Sequence, residues 1–266
     1  MKEEIKKLCA RIEKEQNVKI LFAIENGSRV WGMSSKDSDY DVRFVFVRPV
    51  DEYVQINKPG DVIQAAFDSK FEKCPVEGSL IDMSGFDIFK YTKMLSSSNP
   101  TTIEWLMSDI VYYGSQNERF KEFAKNCFSK KSLYFHYKSL CKNNYIKYLK
   151  TGTFVTHKKY LYAYRGLINA KWVVVHESIP PIKFLDALAG MKEIIPDIVI
   201  EKLKKIIELK KEGKEKDKVA NIKEMDSYIE EFLKNDSEAP TEKSFATLND
   251  LNSELRKIVI GKRCCK

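Results

Sequence analysis

A glycine-serine turn and a pair of aspartates lie close together near the N-terminus of this chain. Gly27-Ser28 follows an apolar run, and Asp39 and Asp41 come soon after it. A turn of this kind can bring backbone N–H groups and a hydroxyl close to a phosphate. Carboxylates at i and i+2 of a strand share one face and can hold Mg²⁺, which prefers one or two carboxylates together with substrate phosphates. A phosphate-binding turn beside a metal-binding strand predicts nucleotidyl transfer.

Asp82 supplies the third carboxylate of the predicted site. A two-metal phosphoryl transfer, with metals roughly 3.5–4 Å apart, needs more than two carboxylates. We expect Asp39 and Asp41 to hold the metal that carries the triphosphate. Asp82, arriving from a neighbouring strand, would help to hold the second metal and take the proton of the acceptor hydroxyl. The spacing alone also fits ordinary turn and strand-end residues.

Two arginines lie close enough in sequence to reach the same site. Arg43 falls on the predicted strand face of Asp39 and Asp41, where it either contacts the triphosphate or pairs with a carboxylate and orients it. Arg29 follows Ser28 directly, so it either reaches a phosphate or is an exposed loop residue. The sequence leaves both choices open.

A second group of candidate residues lies on one predicted helix. Lys158, Tyr162 and Arg165 recur at i, i+4 and i+7 on one helix face, with Lys159 beside them. Cations at this spacing can clamp a triphosphate or follow a nucleic-acid backbone. Aromatic rings between cations can stack single-stranded bases, although we expect most of the neighbouring tyrosines to pack between helices.

The elements that position these residues form a sheet followed by helices. Apolar runs predict strands over 18–24, 39–47 and 79–83, in a sheet covered on one face and open to a cleft on the other. A helix is expected to begin at Asp87, and another at the threonines that follow Asn99-Pro100. The fold class is therefore α/β (α+β), with a catalytic domain over 1–120 and an all-helical domain over 121–266. Helices of the second part are predicted over 133–150, 157–176, 182–192, 198–211, 219–234 and 241–261.

Charge and cysteine usage limit the possible partners and location. The net charge of +8 divides into −3 over 1–120, +9 over 121–200 and +2 over 201–266, so an anionic partner is expected at the middle segment. No apolar run reaches the length of a membrane span, and residues 1–16 form an amphipathic pattern unlike a signal peptide. The six cysteines form no CxxC pair, which predicts free thiols, no zinc site and a cytoplasmic protein with no membrane partner.

The run GSRVWGMSSKDSDYDVRFVFV, residues 27–47, resembles the signature of the DNA polymerase beta nucleotidyltransferase superfamily. More narrowly, the chain is similar over about residues 20–190 to the RlaP-like group, which is assigned to RNA repair. The resemblance implies a polymerase-beta-like mixed sheet packed against helices, with Gly27 and Ser28 on the β- and γ-phosphates. It also implies Asp39, Asp41 and Asp82 as the metal triad. Later blocks that carry the resemblance are 81–87, 98–100, 104–106, 136–137, 144–145, 159–162, 165, 171–172 and 180–184.

The main hypothesis is a Mg²⁺- or Mn²⁺-dependent nucleotidyltransferase. It would move a nucleoside monophosphate from an NTP to a hydroxyl of RNA, at a tRNA end or in RNA repair, and release pyrophosphate. A protein or small-molecule acceptor would use the same triad, but a small molecule would not need the basic segment. A non-catalytic RNA-binding module predicts the loss of a carboxylate, whereas Asp39, Asp41 and Asp82 are all present.

Overall fold

The structure is a computed structural model in which the chain divides into two compact units. We call them the sheet unit (Met1–Val30, Asp39–Phe128 and Phe245–Lys266) and the helical unit (Trp31–Ser38 and Ser129–Ser244). The division into 1–120 and 121–266 stays a prediction about catalytic and acceptor-binding roles. The packing of the chain gives a different boundary. The sheet unit extends to Phe128 and also includes the C-terminal helix. The residues that the structure describes are 1–35, 38–152, 155–214, 217–235, 239–241 and 248–261.

The sheet unit contains a mixed five-stranded sheet with the strand order β3-β4-β2-β1-β5. Strands β2 and β4 are parallel, and the other neighbouring pairs are antiparallel. The predicted mixed sheet with helices is therefore confirmed. The strands are β1 (Lys19–Asn26), β2 (Tyr40–Val47), β3 (Val62–Phe67), β4 (Ile81–Asp87) and β5 (Val111–Gly114).

Most of the remaining described residues are helical. The helices before residue 129 and the last helix belong to the sheet unit, and those between belong to the helical unit. In chain order they are α1 (Lys2–Gln16), α2 (Gly27–Val30), α3 (Val50–Tyr53), α4 (Ile88–Ser96), α5 (Pro100–Met107), α6 (Glu118–Cys127), α7 (Lys130–Asn144), a π-helical segment (Tyr145–Leu149), α8 (His157–His176), α9 (Phe184–Gly190), α10 (Asp197–Lys211), α11 (Lys223–Lys234) and α12 (Asn249–Ile260). No helix in the described part of the chain has the length and hydrophobicity needed to cross a membrane.

Helices cover both faces of the sheet. Helix α1 places its buried apolar residues, among them Ile5 and Leu8, in one core with Phe44 and Phe46 of β2. On the opposite face α4 and α5 contact the sheet, and Trp105 of α5 stacks on Phe86 with ring centroids 4.6 Å apart. The prediction of a sheet covered on one face only was wrong.

The sequence pattern of β2 explains the second covered face. Its predicted polar face carries Asp41 and Arg43 in the first half, but Val45 and Val47 in the second half are buried. Burial of apolar surface is favourable, so helices cover that half of the strand. Only the Asp41 end of this face keeps partly exposed polar side chains.

Several predicted element boundaries change in the structure. β2 begins at Tyr40 rather than Asp39, and β4 spans Ile81–Asp87 instead of the predicted 79–83. A Cβ at Gly85 would lie 2.1 Å from the Phe44 ring, so the missing side chain makes room for close packing within the sheet. Asp87 ends β4 and caps α4 by accepting a hydrogen bond from the Phe89 amide.

The start of α5 also differs from the prediction. Asn99 is the N-cap, because its side chain accepts a hydrogen bond from the Thr101 amide at 3.0 Å, and the helix begins at Pro100. Proline is favourable at the first helical position, where its missing N–H is not needed. The helix therefore starts at Pro100 and not at the threonines that follow it.

Helices α7 and α8 form the core of the helical unit. The predicted helix over 157–176 is confirmed as α8, whereas the predicted helix over 133–150 is α7 followed by the π-helical segment. The two helices approach closely at Gly166, where a Cβ would lie 2.6 Å from the Cys141 amide nitrogen. The hydroxyls of three tyrosines in this unit, Tyr145, Tyr160 and Tyr164, bond to Glu230, Asp226 and the Met225 carbonyl.

The four cysteines in the described part of the chain are free thiols. Cys9 and Cys141 are buried, and burial raises the pKa of each thiol to about 12. Thiols with such a pKa stay protonated and are poor nucleophiles at neutral pH. The predicted free thiols Cys264 and Cys265 lie outside the described residues.

Candidate active site

Asp41 and Asp82 lie side by side on two adjacent parallel strands. In the register of β2 and β4, Asp41 is paired with Asp82, so both side chains leave the same face of the sheet. Their side chains are 32% and 24% exposed, so both carboxylates can be reached from solvent. The predicted arrival of Asp82 from a neighbouring strand is confirmed, whereas its catalytic role stays a prediction.

Arg43 links the two carboxylates. Its Nη2 donates to Asp41 Oδ1 at 3.0 Å and to Asp82 Oδ2 at 2.8 Å. Its Nη1 donates to the backbone carbonyls of Val42 and Asp82, both at 3.0 Å. Of the two possibilities left open by the sequence, the structure shows the carboxylate pairing. A contact of Arg43 with the triphosphate stays a prediction.

The main chain at Gly27 lies close to the Asp41 carboxylate. It lies at the start of α2 with φ +66°, and a Cβ at this position would be 2.0 Å from Asp41 Oδ2. Only glycine combines this backbone conformation with so close an approach. The short helix α2 begins at Gly27, and Ser28 is half-buried within it.

Asp39 and Arg29 form a separate contact beside this pair. Asp39 is exposed and precedes β2. The alternation of side chains along the strand therefore does not place Asp39 on the same face as Asp41. Its backbone carbonyl accepts a hydrogen bond from Arg29 Nε at 3.1 Å. The Arg29 guanidinium lies 3.8 Å from the centre of the Tyr40 ring. The predicted metal and phosphate roles of Asp39 and Arg29 stay predictions.

Glu25 is a buried acid next to the pair that the sequence analysis missed. It is fully buried, and its Oε1 accepts a hydrogen bond from the Asp41 amide at 2.9 Å. Its Oε2 accepts a hydrogen bond from the Tyr112 hydroxyl. Burial raises the pKa of Glu25 to about 7, although both hydrogen bonds act in the opposite direction. The available signal was an acidic residue directly after the apolar run that ends at Ile24.

The second group of predicted residues lies on α8 in the helical unit. Arg165 is buried with its guanidinium 3.8 Å from the centre of the Trp31 ring, and Tyr162 packs edge-on against the same ring. Lys159 lies over Tyr148, while Lys158 is partly exposed. The structure thus gives Arg165 and Tyr162 packing contacts. Nucleotide binding by the four α8 residues stays a prediction.

Comparison with known proteins identifies the family. The model of the family described as "RlaP: RNA repair pathway DNA polymerase beta family" matches residues 1–257. The chain belongs to the RlaP family. It is accordingly a nucleotidyltransferase of the polymerase beta type, as the segment from Gly27 to Val47 predicted.

One relative and one solved structure illustrate how this RlaP family member compares with other proteins. The uncharacterized protein YcgL of Bacillus subtilis (strain 168) is 34% identical over 265 residues, covering 98% of this chain and 96% of YcgL. A nucleotidyltransferase-like protein from Exiguobacterium sibiricum has been solved by crystallography. It is 11% identical with a TM-score of 0.30, over 98% of this chain and 77% of that one. The assignment rests on the family match and on YcgL.

Polymerase-beta-type enzymes generally use divalent metal ions, and the donor set here suits such an ion. Asp41 and Asp82 place two carboxylates on one face with one guanidinium between them, so the pair keeps a net negative charge. Mg²⁺ needs only one or two protein carboxylates when phosphates supply further ligands. Within the described residues no group of three or more His, Cys, Asp or Glu side chains is arranged to hold a metal ion. Of the predicted triad, Asp41 and Asp82 share one face of the sheet, and the metal roles of all three aspartates stay predictions.

Replacing Gly27 with alanine should reduce transferase activity because the new methyl group would displace the Asp41 carboxylate. We expect a loss of about 10- to 100-fold in kcat/KM. The left-handed backbone should also cost roughly 1–3 kcal/mol of unfolding free energy. Gly78→Ala is the matched control, since Gly78 has φ +82° but no atom within 4 Å of its Cβ position. Equal activity of the two variants would show that Gly27 is needed only for its backbone conformation.

Proposed function

We propose that this RlaP family member transfers a nucleoside monophosphate from an NTP to a hydroxyl group of RNA, with release of pyrophosphate. The observation that carries the proposal is the pairing of Asp41 with Asp82 on adjacent strands, held by Arg43 and approached by the Gly27 backbone. The family name adds RNA repair as the setting. The cytoplasm is the proposed location, on the basis of the cysteine pattern.

Asp41 and Asp82 would hold divalent metal ions, Mg²⁺ or Mn²⁺, with Asp39 as the third proposed ligand. The ions would neutralise the charge of the triphosphate and of the leaving pyrophosphate. Arg43 keeps the two carboxylates parallel and prevents their mutual repulsion from turning them apart. Glu25 holds the Asp41 main chain from the buried side of the strand.

The transfer step can be written for the chain's own residues. The acceptor oxygen forms a bond to the α-phosphorus while the bond from that phosphorus to the β-phosphate bridging oxygen breaks. The acceptor hydroxyl loses its proton to the Asp82 carboxylate, and pyrophosphate leaves with the electron pair of the broken bond. Gly27 and Ser28 are proposed to bind the β- and γ-phosphates through backbone N–H groups and a hydroxyl. Catalysis then comes mainly from positioning and charge neutralisation.

RNA is the proposed acceptor because of the charge of the chain. Residues 121–200 carry a net charge of +9, which favours a polyanion over a small molecule. Lys158, Lys159, Tyr162 and Arg165 are proposed to contact the nucleotide or the RNA backbone from α8. Phosphate contacts by lysine and arginine release counterions from the RNA, so binding through these residues should weaken as the salt concentration rises.

The test is incorporation of label from each of the four α-³²P NTPs into total RNA and into protein, with Mg²⁺ or Mn²⁺. The inactive control is Asp39→Ala/Asp41→Ala. The matched control is Asp51→Asn, which removes an exposed carboxylate of the same unit at α3. We expect label in RNA with the wild-type protein and with Asp51→Asn, and none with the double variant.

The alternative outcomes separate the rival functions. Label in protein instead of RNA would identify a polypeptide acceptor. NTP binding without label in either fraction would indicate a small-molecule acceptor or a non-catalytic role. Label in RNA that persists in Asp39→Ala/Asp41→Ala would contradict the proposed site, because no transfer is expected without those carboxylates.

A further inference from the structure

A long acid-free segment forms much of the helical unit. Between Glu122 and Glu177 the sequence contains no Asp or Glu but eleven Lys and Arg residues. The segment includes α7, the π-helical segment and α8, which pack against one another. Carboxylates of α11 reach two tyrosines of this segment, and Lys130 is paired with Glu177. The excess of cations in the segment should still attract anions, and a polyanion most strongly.

Within this segment two lysines converge on one tyrosine ring. Lys159 Nζ lies 3.6 Å from the centre of the Tyr148 ring, and Lys147 Nζ lies 5.1 Å from it. Neither ammonium has an ion pair with a carboxylate in the described part of the chain. A hydrogen bond from Lys147 and the charges of both lysines lower the pKa of the Tyr148 hydroxyl. We call Lys147, Tyr148 and Lys159 the Tyr148 cluster.

The π-helical segment fixes how this cluster is presented. The Lys150 N–H donates to the Tyr145 carbonyl at 2.9 Å. This bond spans five residues, as in a π-helix, instead of the four of an α-helix. Tyr145 and Leu149 are buried, and the Tyr145 hydroxyl bonds to Glu230 at 2.6 Å. Tyr148 is therefore held by a backbone anchored on both sides while its own ring stays partly exposed. Single π-helical turns of this kind occur frequently at functional sites.

We infer that the Tyr148 cluster binds a single-stranded stretch of RNA. Lys159 covers one face of the Tyr148 ring, so an unpaired base stacks on the other face. The ammonium groups of Lys147 and Lys159 bind the phosphates on either side of that base. A duplex hides its base faces, so it would use the two cations but not the ring. The inference rests on the proposed function for the identity of the polyanion as acceptor RNA, and it assigns the contact to particular residues.

The test is fluorescence anisotropy of the full chain with a labelled single-stranded RNA of about 12 nucleotides, long enough for one binding site. Tyr148→Leu removes the aromatic face but keeps a side chain of similar size, and Tyr148→Phe keeps the face. Lys147→Ala/Lys159→Ala removes the two cations. Lys204→Ala/Lys205→Ala removes the same charge from exposed positions of α10 and is the matched control.

We expect the stacking and charge contributions to separate. Tyr148→Leu should weaken single-strand binding about 10-fold and leave duplex binding unchanged, while Tyr148→Phe should bind as the wild type does. Lys147→Ala/Lys159→Ala should reduce the slope of log K against log salt by about 1.4, since each lost phosphate contact removes about 0.7. The control pair should change neither affinity nor slope by a comparable amount.

Different results would overturn different claims. If the wild-type chain binds RNA and the cluster variants bind as tightly as the Lys204→Ala/Lys205→Ala control, the inference fails and the proposed function stands. If the wild-type chain binds no RNA, both fail. Equal weakening of duplex and single-strand binding by Tyr148→Leu would also overturn the inference, because stacking requires an unpaired base. Thermal unfolding of each variant excludes loss of folding as the cause.

Discussion

Asp41→Asn and Asp82→Asn should each lower nucleotidyl transfer by about 1,000-fold or more while the protein stays folded. Each change removes one of the two carboxylates that face each other across β2 and β4. A neutral amide binds a divalent cation poorly, and at position 82 it also cannot take the proton of the acceptor hydroxyl. Folding should be kept because Arg43 still donates to two backbone carbonyls and to the remaining carboxylate.

The measurements are the rate of label incorporation into RNA and the thermal unfolding temperature of each variant. The unfolding free energy should change by no more than about 0.5 kcal/mol, since each side chain is partly exposed and loses a like-charged neighbour. Asp51→Asn should behave as the wild type in both measurements. Activity of Asp82→Asn within tenfold of the wild type would contradict the proposed role of Asp82 as ligand and base.

Arg43→Ala should make the sheet unit unstable without divalent cations and strongly stabilised by them. The change leaves Asp41 and Asp82 facing each other with no guanidinium between them. We expect a loss of about 2 kcal/mol of unfolding free energy in EDTA, which corresponds to roughly 6–10 °C in unfolding temperature. Mn²⁺ or Mg²⁺ should restore most of this loss, because a cation can replace the missing positive charge. The measurement is thermal unfolding with EDTA and with each metal ion.

The double variant Arg43→Ala/Asp82→Asn tests the cause of the metal response. With one carboxylate left, the stabilisation by Mn²⁺ should fall well below that of Arg43→Ala alone. An unchanged response in the double variant would place the cation elsewhere. A raised KM for NTP in Arg43→Ala without any added response to metal would favour the alternative in which Arg43 contacts the triphosphate.

The paired carboxylates are the part of the site that local sequence rules predicted best. The alternation of β2 places Asp41 and Arg43 on one face, and that placement depends only on strand geometry. The predicted neighbouring strand with Asp82 is present, in parallel register with β2. The same rules misplaced Asp39, because a strand boundary depends on hydrogen bonds to the neighbouring strand and β2 begins one residue later.

Other parts of the site depend on residues that are distant in sequence. Glu25 bonds to Tyr112, 87 residues later, because β1 pairs with the short strand β5. The residue pattern of neither segment predicts that contact. The π-helical segment at Tyr145–Leu149 was also not predicted, since the spacing of its apolar residues fitted a continuous α-helix. Its Tyr145 hydroxyl is held by Glu230 of α11.

The sequence by itself determined the family, the fold class and the carboxylates on which the proposed chemistry depends. These features follow from short-range patterns: a glycine that needs a positive φ, alternating strand faces and helical periodicity. Only the tertiary structure decided that Arg43 links Asp41 to Asp82, that Glu25 lies buried beneath Asp41, and that helices cover both faces of the sheet. The reason is physical, since strand pairing and burial are set by contacts between segments far apart in the chain, and local propensity does not specify them.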